Sequence, residues 1–382
     1  MSDPQESRPA SETRRAWQDL LGALAEIDAD WIGPQRGLAP GREHLGIRGL
    51  GMALWGALDL YLENEPERPH FVRLISPYRK WGDNPDAIYF FAPLRGDLTY
   101  RVQGRRGREV YLSLTVHGGD RDGHWPTRVV AELNMDDMAF DADGSFEVVL
   151  SPEAHRVNWM PLEEDAGSVV VRFYFNEAQA ASAQPELVPD LRIETVDGPE
   201  QVPVPDDETV ARRLRRVEAW VRSKFGGQML GPQPRRRPSW YSEVPNTMGP
   251  PVDWTDGDGG GWGAVDIAYS AGEYELGPDE ALVMEGRLPE GLFTNVVIWN
   301  ELGQTADYLE RTVSLNDTQM ELGEDRRYRV VISHRDPGVP NWLDTCGEPR
   351  AAVFWRFMLP AEPPEAPVCT VMPVDRVADG GQ

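Results

Sequence analysis

The sequence predicts a mainly β protein. It reads as two tandem antiparallel β-sandwich, jelly-roll-like domains, with accessory helices at the N-terminus and between them. Three observations carry this reading. Short runs of alternating apolar and polar residues recur from Phe71 onward at intervals of about ten residues, punctuated by Gly, Pro, Asp and Asn, as in sandwiches rather than βαβ units. A second set of runs begins near Ala264 and repeats the first in register. The length of 382 residues and the 40% hydrophobic content suffice for about two cores. The division is 1–68 tail and helices, 69–197 first sandwich, 198–258 helical linker and loop, and 259–382 second sandwich.

Residues 1–10 read as a tail. From Ser11 to Asp28, Trp17, Leu20, Leu21 and Leu24 fall at helical spacing, with Ser11 placed to cap. After a Gly/Pro-rich break, Gly33 to Gly41, a second helix is expected over Leu45 to Glu63. Its apolar residues (Leu50, Met52, Leu54, Trp55, Leu58, Leu60, Tyr61) lie all round, so it should be buried against something large. Strands are expected at Ala87–Phe91, Leu98–Gln103, Glu109–Val116, Val129–Asn134, Ser145–Leu150, Ser168–Phe175 and Asp190–Thr195. Asp206 to Phe225 reads as a helix ending in Gly226-Gly227, with Arg212, Arg213, Arg215 and Arg216 on a solvated or inter-domain face. Gly231 to Asp258 is a long connection. Within it, Asp253-Trp254-Thr255-Asp256-Gly257-Asp258-Gly259 has a calcium-like look but lacks the EF-hand's closing glutamate, Ile267 standing there. It reads as a Gly-rich loop. Two further strands run over Tyr328–Ser333 and Ala351–Leu359.

The β regions are copies of one another. With Gly104-Arg105 set on Gly286-Arg287, Leu133-Asn134 falls on Leu315-Asn316, Met138 on Met320, Val148-Val149 on Val330-Val331 and Ser151 on Ser333. Two single-residue shifts then place Asn158-Trp159 on Asn341-Trp342 and Arg172-Phe173 on Arg356-Phe357. Strand phase survives throughout, and a one-residue slip would turn each strand inside out. The copies diverge at two places. His334-Arg335-Asp336 stands where the first copy has Pro152-Glu153-Ala154, and His117 stands where the second has Trp299.

A net charge of −25 argues against nucleic acid and anionic membrane surfaces as partners. No apolar run approaches the roughly 20 residues that span a bilayer. The polar N-terminal stretch lacks signal-peptide features. Two cysteines, Cys346 and Cys369, are too few for a disulfide framework or a structural zinc site, so a cytoplasmic protein with reduced thiols is expected.

The richest chemistry sits in His334-Arg335-Asp336-Pro337-Gly338-Val339-Pro340-Asn341-Trp342-Leu343-Asp344, a rigid loop between two strands. In an extended segment residues i and i+2 share a face, so His334 and Asp336 are candidates for acid–base work with Arg335 beside them. The competing reading is a turn network, with Asp336 capping backbone N–H groups. Asn341 and Trp342 recur as Asn158 and Trp159, which favours a structural part. Asn341, Trp342, Trp299, Asn300, Asp83, Asn84 and Tyr89 are the candidate substrate contacts. No His-x-His or His-Glu-x-x-His is present, so no metal site is assigned, and a divalent cation has no spacing to support it. His117 and His124 flank an acidic turn, Asp120 and Asp122, where two imidazoles and a carboxylate could converge on a metal. No Gly-x-Ser-x-Gly, Gly-x-Gly-x-x-Gly or P-loop occurs, and no cofactor is predicted.

The stretch Gly82-Asp83-Asn84-Pro85-Asp86-Ala87-Ile88-Tyr89 resembles the bacterial family known as domain of unknown function twelve-fourteen. So do Ala268-Tyr269, Val296-Val297-Ile298-Trp299-Asn300, Val313-Ser314-Leu315-Asn316 and the His334–Asp344 loop. The resemblance spans Pro69 to Leu359. It implies a cytosolic protein of two jelly-roll-like domains with accessory helices, and brings no reaction. The expectation is an enzyme of the lyase, isomerase or hydrolase type acting on a largely apolar small molecule. A non-catalytic module for sugars or lipophilic metabolites, and a structural or homo-oligomer-forming protein, stay open.

Overall fold

The computed structural model describes residues 10–32, 41–196, 198, 203–226, 237–254 and 261–379. Most of the expected tail and of the Gly33–Gly41 break, Gly227 and Thr255 to Gly259 of the calcium-like loop lie outside these residues.

Helices α1 (Glu12–Trp31) and α2 (Glu43–Tyr61) precede the first domain, whose strands are β1 (Val72–Arg73), β2 (Ala87–Pro93), β3 (Tyr100–Arg105), β4 (Tyr111–Gly118), β5 (Arg128–Asn134), β6 (Ser145–Ser151), β7 (Trp159–Pro161), β8 (Ala166–Tyr174) and β9 (Leu191–Thr195). Helix α3 (Asp207–Gly226) leads to the second: β10 (Val252–Asp253), β11 (Ile267–Glu275), β12 (Glu280–Arg287), β13 (Phe293–Trp299), β14 (Ser314–Asn316), β15 (Arg327–Ser333), β16 (Trp342–Asp344), β17 (Arg350–Met358) and β18 (Val368–Pro373). Each domain pairs a large sheet with a small one. The large sheets run β1-β2-β8-β4-β5 and β10-β11-β17-β13-β14; the small ones run β7-β6-β3-β9 and β16-β15-β12-β18. The orders correspond strand for strand, so the duplication is a duplication of topology. Its anchor has a steric reason. Gly104 pairs with Phe146 and Gly286 with Tyr328, and a Cβ at either glycine would lie 2.5 or 2.6 Å from the facing ring or its hydroxyl.

Alternation fills the two cores. Leu112, Leu114, Val116, Val171 and Phe173 face Val102, Phe146, Val148 and Leu150 in the first; Val296, Ile298, Val353, Trp355 and Phe357 face Leu282, Met284, Val330 and Ile332 in the second. The other face of β4 carries Tyr111, Ser113, Thr115 and His117, and all four are buried. This polar alternation reads as half-exposed strand, yet the large sheets lie back to back. Ala87, Tyr111 and Tyr174 share an apolar cluster with Ile267, Tyr269, Phe293, Val297 and Phe354. The two domains thus meet along a seam that is part aromatic and part polar.

The helices cover the remaining outer face of the first large sheet, at Phe91 and Val170. Ser11 caps α1 as expected, accepting from the Arg14 N–H. Helix α2 is not buried all round: its inward side is Gly46, Gly49, Ala53, Gly56 and Ala57, whereas Trp55 is 49% exposed. The reason is Trp81, whose ring occupies the place a Cβ on Gly56 would take. The α3 arginines are split as well. Arg213 and Arg216 are buried and hold Glu65 at 2.8 and 2.9 Å; Arg215 reaches Glu12 on α1. No described helix is long and apolar enough to cross a membrane.

Candidate functional site

The structure divides the predicted site in two. In the His334 loop, β15 ends at Ser333 and the chain bends at once, with Ser333 Oγ donating to the Arg335 carbonyl at 2.8 Å. The extended geometry that would align His334 with Asp336 is therefore lost. His334 Nδ1 meets Thr345 Oγ1 at 2.7 Å, Asp336 accepts the Gly338 N–H at 2.8 Å, and Arg335 pairs with Asp375 at 2.7 Å on the surface. The first copy bends in the same way, Ser151 Oγ donating to the Glu153 carbonyl. Asn341 sits at φ 58° and clamps two strand connections, accepting from the Glu321 N–H and donating to the Glu321 and Arg329 carbonyls. Asn158, at φ 47°, does the same with Ala139 and Glu147. Trp342 and Trp159 donate to the Ser333 and Ser151 carbonyls. This is one turn network built twice. Asn300 also folds a turn, accepting from Leu302 and Gln304.

Asp83, Asn84, Tyr89 and Trp299 do converge, at the seam. Trp299 Nε1 donates to the Asp83 carbonyl at 2.8 Å, and Thr305 bonds the buried Asp83 carboxylate through both N–H and hydroxyl. Asn295 Nδ2 donates to Asn84 Oδ1 and to Asp86 Oδ2, both at 2.8 Å; Asn316 donates to the other Asp86 oxygen at 2.9 Å. Burial raises the Asp86 carboxyl to about 6, against the pull of these two amides. Tyr89 Oη donates to Tyr174 Oη.

Strand register explains why these groups meet. Tyr89, Arg172, Ser113 and Asn134 form one row across β2, β8, β4 and β5; Tyr269, Arg356, Asn295 and Asn316 form its counterpart. Each copy also reaches across to the other. Asp86 of the first takes Asn316 of the second, and Asp266 of the second takes Asn134 of the first at 2.8 Å, with Tyr111 Oη at 2.5 Å.

The symmetry fails at His117. In the second copy that place holds Trp299, whose ring packs at a tilt against Phe354, 4.5 Å between centroids. In the first, His117 is fully buried and neither ring nitrogen has a partner among the described residues. Ser113 Oγ and both Glu132 carboxyl oxygens are buried and lack a well-formed hydrogen bond among the described residues, with Tyr111 the nearby polar group of each. Ser113, Thr115 and His117 share one face of β4, and Glu132 stands opposite Thr115 on β5. Buried polar atoms are bonded in more than about nine cases in ten, so several without a well-formed bond on one strand face set this stretch apart from the rest of the seam.

Electrostatics follow from this burial. His117 is held well below the ordinary histidine range by burial, reinforced by Arg172, and is neutral. Glu132 is pushed up to about 7 by burial; Arg172, the Val265 N–H and Tyr111 pull it down without making a well-formed hydrogen bond. Arg172 itself is committed to Thr115 Oγ1 and to the Trp262 and Gly263 carbonyls. Beside His117 across the ladder, Ser168 donates to Asp120, which burial raises to about 7. His124 and Asp122 are exposed and do not join them, and among the described residues no group of three or more His, Cys, Asp or Glu stands ready for a metal. Sequence reasoning missed Glu132 and Arg172, although the His117–Trp299 divergence pointed at their neighbourhood.

Residues 91–178 match the family described as Protein of unknown function (DUF1214), in line with the resemblance read from the motifs; this segment carries Ser113, His117, Glu132 and Arg172. The chain is similar to a solved structure of an uncharacterized protein from Burkholderia cenocepacia, with TM-score 0.79 and 25% identity over 94% of this chain and 97% of that one. It is more distantly similar to the VPA0106 protein from Vibrio parahaemolyticus, with TM-score 0.48 and 15% identity over 76% of this chain and 90% of that one. No curated protein matches the sequence.

Proposed function

We propose that the protein is an enzyme of small-molecule metabolism that moves a proton in the seam between its β domains, by a lyase, isomerase or hydrolase step. The supporting observation is the set of buried groups on β4 and β5 that lack a well-formed hydrogen bond among the described residues: a neutral imidazole, a carboxyl poised near neutrality and a hydroxyl. A group with a pKa near working pH both gives and takes a proton readily. In this reading Glu132 is the acid–base group, His117 accepts a hydrogen bond from the substrate, and Ser113 orients it. Tyr111 and Val129 supply an apolar wall, which suits a largely apolar molecule with one polar head. The free thiols Cys346 and Cys369 fit a cytoplasmic setting, and the acidic surface fits neither nucleic acid nor membrane as a partner.

The test needs no known substrate. Protein is incubated in deuterium oxide with a mixture of small carbonyl and carboxylic metabolites, and exchange of carbon-bound protons or new products is followed by NMR. Wild type should deplete a signal that Glu132→Gln leaves intact. Ligand-induced stabilisation of both proteins without exchange or product would replace the enzyme by a non-catalytic binding module.

A further inference from the structure

Only two of the 38 basic residues are lysines, Lys80 and Lys224, and both are buried, each 2% exposed. Arginine therefore serves wherever a basic side chain faces solvent. The lysines mark places where a permanently charged guanidinium does not serve. They differ from one another. Lys80 Nζ donates to the Ala306 carbonyl at 2.5 Å and lies 4.3 Å from the Tyr308 ring. Lys224 Nζ has no hydrogen-bond partner among the described residues.

Four indoles surround it instead: Trp125 at 3.8 Å, Trp220 at 5.0 Å, Trp262 at 5.2 Å and Trp81 at 5.5 Å from ring centre to Nζ. Trp220 lies one turn earlier on α3, and Trp81 and Trp262 come from matching loops ahead of β2 and β11. Among the described residues, the indole N–H groups of Trp125, Trp220 and Trp262 also lack an acceptor. Donors are thus gathered where the described residues offer no oxygen. Ring faces attract an ammonium, but they offset only part of the cost of stripping its water with no anion beside it among the described residues. Burial alone accordingly holds the amine well below the ordinary lysine range. A desolvated neutral lysine is a nucleophile.

We propose that Lys224 is a carbonyl-capturing amine: its cage takes a small aldehyde or ketone, and Nζ adds to the carbonyl carbon to form an imine. The indoles enclose the apolar body, and their unpartnered N–H groups offer donors for the carbonyl oxygen. As the C–N bond forms, the C=O π bond breaks and the oxygen takes a proton. The carbinolamine then loses water to give C=N, with no change of oxidation state. Trp125 and Trp262 are half-buried, so the cage lies one ring from solvent. Neither His117 nor Glu132 takes part, although Trp262 links the cage to the seam through its carbonyl, which accepts from Arg172.

The chain's few lysines make the test clean. Full-length protein is treated at pH 7 with benzaldehyde and sodium cyanoborohydride, which reduces an imine to a stable amine, and peptides are mapped by mass spectrometry. The expected result is saturable benzylation of Lys224 with Lys80 unmodified, and its absence in Lys224→Met. A urea-denatured sample reports that both lysine peptides are detectable. Lys224 unmodified in the native protein while modified in urea, or both lysines modified alike in the native protein, overturns the proposal.

Discussion

Replacing Asn341 by alanine separates a turn network from a reactive loop. The side chain makes three hydrogen bonds, one accepted and two donated, which join the segments around Glu321 and Arg329. Each such bond contributes about 0.5–1.5 kcal/mol, toward the low end where water competes. Its φ of 58° adds a second cost, because alanine in the left-handed region is strained by about 1–2 kcal/mol where Asn and Gly are not. Together these give a loss of about 2–4 kcal/mol for Asn341→Ala. Asn341→Gly keeps the backbone and should recover about 1 kcal/mol of it. Asn158 makes the same bonds at φ 47°, so Asn158→Ala should cost a similar amount. Urea denaturation followed by tryptophan fluorescence reads these values. A loss under about 1 kcal/mol at Asn341, with Asn158→Ala still costly, would refute the reasoning and return the loop to the list of reactive sites.

Other outcomes follow from the same geometry. Asp86→Ala and Asp266→Ala each orphan two buried donors, Asn295 with Asn316 and Tyr111 with Asn134, and each should cost about 2–4 kcal/mol in chemical denaturation; a neutral result at either would mean that the seam does not bind the domains. Burial raises Asp86 to about 6, and Asp120 and Glu132 to about 7. Folding favours their neutral forms, so the stability they contribute is full below about pH 4 and is lost as pH rises toward 7. Melting temperature should therefore fall between about pH 4 and about 7 and level off above, less steeply in Glu132→Gln, and a slope unchanged by that substitution would contradict the assignment. Gly104→Ala and Gly286→Ala should each cost about 1–3 kcal/mol, since Phe146 or Tyr328 must move; calorimetry showing no change at both would remove the steric reason for the repeat's anchor.

Much of this fold is legible in the sequence because its cores obey a period of two. The β4 run Leu112-Leu114-Val116 and the β15 run Tyr328-Val330-Ile332 place themselves, and the copies confirm each other's phase. Strands β7 and β16 escape notice because three residues are too few to show alternation, and both pair in parallel with a strand close by in sequence. The seam is harder to foresee. Tyr111, Ser113, Thr115 and His117 alternate with apolar residues just as a solvated face does, and what buries this face is the second domain over Tyr111 and the helices over the neighbouring Phe91 and Val170. The loop at His334 misleads for a different reason. Charged groups confined by Pro and Gly look reactive, yet the first copy, with Pro152-Glu153-Ala154 in place of the triplet, makes the same bend and the same asparagine clamp.

The seam claim rests on His117 standing where the second copy has Trp299, and the melting temperature of His117→Phe tests it most directly. A buried imidazole with two unpartnered nitrogens burdens the fold, so phenylalanine, which removes them and keeps a ring, should leave melting unchanged or raise it while abolishing proton exchange. A fall of several degrees would show that His117 holds the structure together, and the seam would then be an interface between domains rather than a site.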